Sequence, residues 1–157
     1  MRHRLPLIAL VAAVAWIALA SPARAQGVGA RAGVSGDPTQ FFFGGHFETS
    51  PLVERLRFRP NVEVGIGDDR TLVTLNVEFA WHFPESRRGW SVYAGAGPAV
   101  NITFFDDDPP GRDDSDVGGG LNFLVGLEHS RGLFTELKVG AIDSPSVKFA
   151  VGYVFGR

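Results

Sequence analysis

Two runs of residues between Leu56 and Phe83 alternate apolar and polar side chains without interruption. The runs cover 56–66 and 73–83, and a Gly-Asp-Asp-Arg turn separates them. Because successive side chains of a strand point to opposite sides, this pattern predicts a β-hairpin with one apolar and one charged side. The charged side includes Arg55, Arg57 and Arg59. A dry interior would not hold three arginines, whereas a barrel lumen could do so if the apolar side met lipid.

The first 25 residues have the features of a secretory signal peptide. Arg2 and Arg4 precede a 16-residue apolar stretch, and Ala23-Arg24-Ala25 is an A-x-A cleavage site. The apolar stretch is shorter than the roughly 20 residues that a membrane-spanning helix needs, which disfavours an uncleaved anchor. We therefore predict a signal peptide over 1–25 and one barrel domain over 26–157.

Charge and cysteine content exclude several classes of function. Cleavage would remove three of the 15 basic residues and none of the 17 acidic ones, leaving a net charge of −5. This charge gives no electrostatic basis for nucleic-acid binding. The chain has no cysteine, so disulfides, thiol catalysis and cysteine-ligated zinc are excluded.

The alternation continues through the rest of the mature chain and predicts eight strands. We place them at 27–34, 41–48, 56–66, 73–83, 90–104, 117–128, 133–141 and 147–155. Segments of about ten residues with short turns are typical of a small membrane barrel. The predicted fold is all-β, an eight-stranded antiparallel up-and-down transmembrane β-barrel. Pro60 and Pro98 fall within strands, where we expect β-bulges.

The polar side of these strands predicts a charge network inside the barrel. Its expected members are Arg31, Glu48, Arg55, Arg57, Arg59, Glu63, Glu78, Glu128, Glu136, Lys138 and Lys148. Six positive and five negative charges could neutralise one another in a narrow lumen. Eight strands leave an interior that side chains can fill, so a plugged lumen is favoured over an anion pore. Inward glycines leave room for the long side chains.

Aromatic residues and loop lengths give the barrel an orientation. With both termini in the periplasm, an aromatic girdle is expected at that rim, formed by Phe47, Trp81, Phe83, Trp90, Tyr153 and Phe155. The same orientation places the longest connection, Asp106 to Asp116, outside the cell. Its aspartates could bind a divalent cation such as calcium, although a solvated loop explains them equally well.

The signal peptide, the strand count and the Tyr93-Ala94-Gly95-Ala96-Gly97 segment resemble the small eight-stranded outer-membrane proteins of the OmpX and OmpA-barrel type. The resemblance covers the whole mature chain. It implies a location in the outer membrane of a Gram-negative cell envelope and contact with the barrel assembly machinery. Such proteins usually end on an aromatic residue, whereas here Gly156 and Arg157 follow Phe155. Tyr153 and Phe155 are interpreted as a displaced form of that assembly signal.

Two further groups of residues could suggest chemistry. Some small outer-membrane barrels are lipid A deacylases that use His, Ser and an acid, which draws attention to Glu128-His129-Ser130. In those enzymes one residue separates His from Ser, whereas here they are adjacent in a predicted periplasmic turn. His46 and His82 both face inward as a metal pair might, but polar filling of the lumen is the favoured interpretation. We predict no catalytic residue, cofactor or metal.

The favoured hypothesis is a non-enzymatic, porin-like integral outer-membrane barrel with a structural or surface-interaction role. Its expected partners are outer-membrane lipid, lipopolysaccharide and the assembly machinery, and we expect a monomer. One alternative is a soluble periplasmic barrel that binds an apolar ligand inside, like a lipocalin. A deacylase-like enzyme is the third hypothesis.

Overall fold

Eight antiparallel strands form a closed barrel in the computed structural model, which describes residues 25–68, 70–105 and 115–156. Each strand pairs with its neighbours in the sequence, and β1 pairs with β8 to close the sheet. The strands are β1 (Ala25–Gly36), β2 (Gln40–Thr49), β3 (Leu56–Ile66), β4 (Arg70–His82), β5 (Trp90–Phe105), β6 (Ser115–His129), β7 (Leu133–Ile142) and β8 (Val147–Phe155). The predicted fold class is confirmed. No helix in the described residues has the length and hydropathy to cross a membrane.

The hairpin of β3 and β4 has the register that its alternation predicts. Leu56 pairs with Trp81 at one end and Ile66 with Thr71 at the other. β4 begins at Arg70, three residues before the predicted start, and Phe83 lies just beyond its end. At the closing seam, Val28 pairs with Phe155 and Gly36 with Val147. We call the end with both termini the proximal rim and the opposite end the distal rim.

Most of the large apolar side chains lie on the outside of the barrel, and most of the charged side chains of the strands lie on the inside. In β4, Val77, Phe79 and Trp81 are 43, 41 and 38 % exposed, whereas the intervening Glu78 is fully buried. Most of the fully buried large side chains are therefore charged or aromatic residues of the lumen. The sidedness is the reverse of that of a soluble domain, in which buried charges are rare.

The two strand prolines are accommodated without bulges, so that expectation was wrong. Pro60 pairs in register with Val77, and the ladder between β2 and β3 stops at Asn61, next to it. Pro98 pairs regularly with Leu121 of β6. On the side of β5 that faces β4, residues 97–98 have no pairing partners, and neither do residues 77–78 of β4. Beyond this gap the two strands pair again in the same register. A proline lacks an N–H, and here the chain omits the ladder bonds locally instead of inserting a residue.

Two predictions fall on parts of the chain outside the described residues. The first is the signal peptide predicted over 1–25, of which only Ala25 is described, as the first residue of β1. The second is the acidic connection, in which residues 106–114 are not described. Of its predicted ligands only Asp116 is described, and it is exposed at the start of β6. Both the cleavage site and cation binding by this loop remain predictions.

Candidate functional site

Charged side chains from seven of the eight strands point into the lumen and fill it. Arg57 is partly buried there, and nine others are buried: Arg31, Glu48, Arg59, Glu63, Glu78, Glu128, Glu136, Lys138 and Lys148. Together they are ten of the eleven residues predicted for the network. Each buried ion would cost several kcal/mol without compensation, so its partners determine whether the barrel can close.

Glu136 of β7 is one centre of the ion pairing. Arg31 donates to its Oε1 at 2.9 Å, and Arg59 donates to Oε2 at 3.1 Å. The hydroxyl of Tyr93 donates to Oε2 at 2.8 Å. The guanidinium of Arg59 also lies over the Tyr93 ring, 4.5 Å from its centroid. One carboxylate thus accepts from β1, β3 and β5, and these charge-assisted bonds cross the lumen.

Glu63 of β3 is the second centre. Lys148 donates to its Oε2 at 2.8 Å, and Lys138 and Arg31 donate to Oε1 at 3.2 and 3.3 Å. Lys138 also lies 2.6 Å from Glu78. Because Arg31 contacts both Glu63 and Glu136, the two centres form one network.

A row of asparagines extends the polar filling beyond the charges. Asn61 donates to Glu78, Asn76 donates to Asn61, and Asn122 donates to Asn76, each at 2.7 Å. The predicted network contained only charged residues and omitted this row. Its signal was present in the sequence, because all three amides occupy inward positions of the alternation.

Three inward aromatic rings are each accommodated by a glycine directly opposite on the neighbouring strand. A side chain on that glycine would collide with the ring. The pairs are His46 with Gly29, Tyr93 with Gly126 and Phe134 with Gly152. Pairing a glycine with an aromatic residue across strands helps to fix register. Tyr93 and Phe134 were not predicted as site residues, although each occupies an inward position.

Arg55, by contrast, is exposed at the proximal rim and does not join the buried network. The chain makes a tight turn just before β3, in which the Leu56 N–H donates to the Val53 carbonyl at 2.9 Å. Arg55 belongs to this turn, and its own carbonyl accepts from the His82 N–H at 3.0 Å. The alternation therefore extends one residue further in the sequence than the strand does.

The proximal mouth of the lumen is a cavity of about 320 Å³. Arg55, Arg57, Ser91, His82 and Glu128 are among its lining residues. At its inner end, Arg57 forms an ion pair with Glu48, and His82 Nε2 lies 3.6 Å from Glu128 Oε2. The His82 ring stacks on Tyr93 with 5.1 Å between centroids. Glu48, His82 and Glu128 are thus brought together by β2, β4 and β6, and they are the described residues that could hold a metal ion.

The distal mouth has a smaller cavity of about 150 Å³. Asn101 donates to Ser144 Oγ at 3.3 Å and to the Asp143 carbonyl, and Thr74 donates to Asn101 at 2.9 Å. Arg70 lines the same cavity. These neutral hydrogen bonds cap the asparagine-rich end of the lumen.

The predicted girdle residues lie toward the proximal rim on the outside of the barrel. Phe47 is partly buried, and the other five are exposed: Trp81, Phe83, Trp90, Tyr153 and Phe155. Tyr153 and Phe155 contact each other with ring centroids 5.2 Å apart.

His129 and Ser130 lie at this same rim, in and next to the turn that follows Glu128. Glu128 is buried in the lumen, whereas the His129 ring packs edge-on against Trp90 at 4.9 Å. His129 Nδ1 accepts from the backbone N–H of Arg131 at 3.1 Å, inside the turn. The three residues therefore do not assemble the acid, base and nucleophile that the deacylase hypothesis requires.

Comparison with solved structures supports this architecture. The N-terminal β-barrel domain of Pseudomonas aeruginosa OprF matches with a TM-score of 0.59 and 13 % sequence identity, over 85 % of this chain and 100 % of that one. The chain has the fold of a small outer-membrane barrel. No protein-family model matches the sequence, and no curated protein matches it significantly. At this identity the likeness concerns the fold alone.

Proposed function

We propose that this chain is an integral outer-membrane β-barrel with a structural or surface-interaction role and no enzymatic activity. The observation that carries the proposal is its sidedness, because charges fill the inside and a continuous apolar belt covers the outside. Water would not favour such a surface, since exposed apolar patches of this extent are otherwise interaction sites. Lipid would cover it fully.

The strand lengths support a membrane location. The strands contain 9 to 16 residues, and a tilted strand of about 9–11 residues spans the hydrocarbon core. Closure removes the free edges that lipid could not satisfy. The aromatic residues at the proximal rim would then lie at the headgroup level.

The filled lumen supports a plugged barrel over an anion pore. Arg59 is fully buried beside Glu48, and Arg57, at the proximal mouth, is paired with the same carboxylate. The buried asparagines add hydrogen bonds between side chains of three strands inside the lumen. A role at the surface, through the distal loops, therefore fits better than conduction.

Outer-membrane lipid and lipopolysaccharide are the partners that we propose for the belt. The barrel assembly machinery is the partner proposed for insertion, with Tyr153 and Phe155 as its displaced signal. We also propose a monomer, since the closed sheet offers no edge for a second copy.

The soluble lipocalin-like alternative requires the apolar side of the strands to line a cavity. In the described strands that side is outward, and the lumen holds ion pairs in its place. No observation of the site favours this alternative or the deacylase over the proposal.

The test is to separate cells expressing the full-length chain into soluble and membrane fractions. Protein from the membrane fraction is then compared on gels with and without boiling. We expect it in the outer membrane, with faster migration before boiling because the closed barrel resists detergent. Recovery in the soluble fraction without a shift on boiling would refute the proposal.

A further inference from the structure

Three buried side chains from alternate strands converge at the inner end of the proximal mouth. Glu48 of β2, His82 of β4 and Glu128 of β6 are 0, 6 and 1 % exposed. One potential ligand atom from each lies within 4.8 Å of the other two. Inward side chains of alternate strands lie in shared layers of a barrel, so this set is a layer of the lumen rather than a surface cluster.

We propose that Glu48, His82 and Glu128 form a binding site for a divalent transition metal, with zinc as the best fit. A tetrahedral zinc ion with bonds of about 2.0–2.2 Å separates its ligand atoms by about 3.3–3.6 Å. The 3.6 Å between His82 Nε2 and Glu128 Oε2 already meets this requirement. The ligand atom of Glu48 lies within 4.8 Å of the other two, so it has to approach by at most about 1.5 Å.

The donor set selects among metals. One imidazole nitrogen and two carboxylate oxygens suit zinc, whereas calcium and magnesium prefer sites made entirely of oxygen. The fourth position of a tetrahedral ion would face the mouth cavity of about 320 Å³, which has room for a water ligand. The same cavity is the entry path for the ion.

Arg57 competes with the metal for Glu48. Its guanidinium contacts Glu48 Oε1, and its side chain remains 18 % exposed at the cavity. It can therefore move into the cavity when an ion binds. Arg59 is fully buried and lies 3.5 Å from Glu48 Oε2, so it stays in place. Glu48 thus exchanges Arg57 for the metal while it keeps Arg59, and zinc would compete with a single mobile cation.

The test is a zinc titration against a chromophoric chelator, using protein expressed from the full-length chain and purified in detergent. The protein is taken from whichever cell fraction contains it, so the result does not depend on the proposed membrane location. We expect one zinc ion per chain. His82→Gln and Glu128→Gln should each weaken binding by about 100-fold, since each removes a direct ligand.

His46→Gln is the matched control. Like His82, His46 is a buried histidine that points into the lumen, but it packs against Phe134 and does not belong to the cluster. It should leave zinc affinity unchanged. Arg57→Gln should tighten binding by about tenfold, whereas Arg57→Lys should not, because it keeps a competing cation. Calcium or magnesium in millimolar excess should not displace zinc.

Two results would overturn the proposal. One is the absence of stoichiometric zinc binding by the unaltered protein, and the other is unchanged affinity in a folded His82→Gln or Glu128→Gln protein. If neither variant folds, X-ray absorption of the zinc-loaded unaltered protein decides the question. One histidine with oxygen ligands supports the site, whereas two or more histidines exclude it.

Discussion

Replacing Val77 by arginine tests which side of the barrel meets lipid. Val77 lies near the middle of β4, paired with Pro60, and its side chain points outward with 43 % exposed. Arginine at the midplane of a bilayer destabilises a membrane barrel by about 2–4 kcal/mol, and the cost falls to about 0–1 kcal/mol near the interface. Because the Val77 side chain points away from the lumen, the effect should come from the outer side.

Thr71→Arg is the matched control, because Thr71 lies on the same side of β4 but at its distal end, paired with Ile66. The difference between the two variants should be about 2–3 kcal/mol. It can be measured by urea unfolding of the protein in phospholipid vesicles, followed by the fluorescence of Trp81 and Trp90. If the outer side met water, both substitutions would stay within about 0.5 kcal/mol, and equal effects would refute the membrane assignment.

Two further substitutions test the lumen in the same vesicle assay. Glu136→Gln should destabilise the barrel by about 3 kcal/mol or more, because it removes a negative charge that pairs with the buried Arg31 and Arg59. The control is Glu85→Gln at an exposed position, which should be nearly neutral. Equal stability of the two variants would contradict the network. Gly126→Ala should lower the free energy of unfolding by about 1–3 kcal/mol, because the added Cβ would collide with the Tyr93 ring. In the control, Gly119→Ala, the added Cβ has no atom within 4 Å to meet, and the loss should be less than about 0.5 kcal/mol. A neutral Gly126→Ala would show that the ring is not held there.

The strands and their sidedness could be predicted because a strand alternates strictly and one slip would invert it. The alternating run from Leu56 to Ile66 therefore predicted both ends of β3 correctly. Arg55 shows the limit of this reasoning, since the same alternation extends into a turn that only backbone hydrogen bonds reveal.

The pairing inside the lumen could not be predicted. Arg31 contacts Glu63 and Glu136, which are 32 and 105 residues away, and the choice depends on strand offset and side-chain rotamers. The approach of Glu48, His82 and Glu128 depends on the same offset, because alternation assigns a side but not a height. The glycines opposite aromatic rings likewise become meaningful only when the register is known.

The ion pairs that cross the lumen have a consequence for how the protein assembles. Lys148 of β8 reaches Glu63 of β3, and Arg59 of β3 reaches Glu136 of β7, so both contacts need strands from opposite parts of the sheet to face each other across a nearly closed lumen. A partly built sheet in lipid would present uncompensated charges on one side and unpaired backbone on both edges. Insertion strand by strand would therefore pass through costly intermediates, and the sequence favours entry into the bilayer at or after the moment of closure.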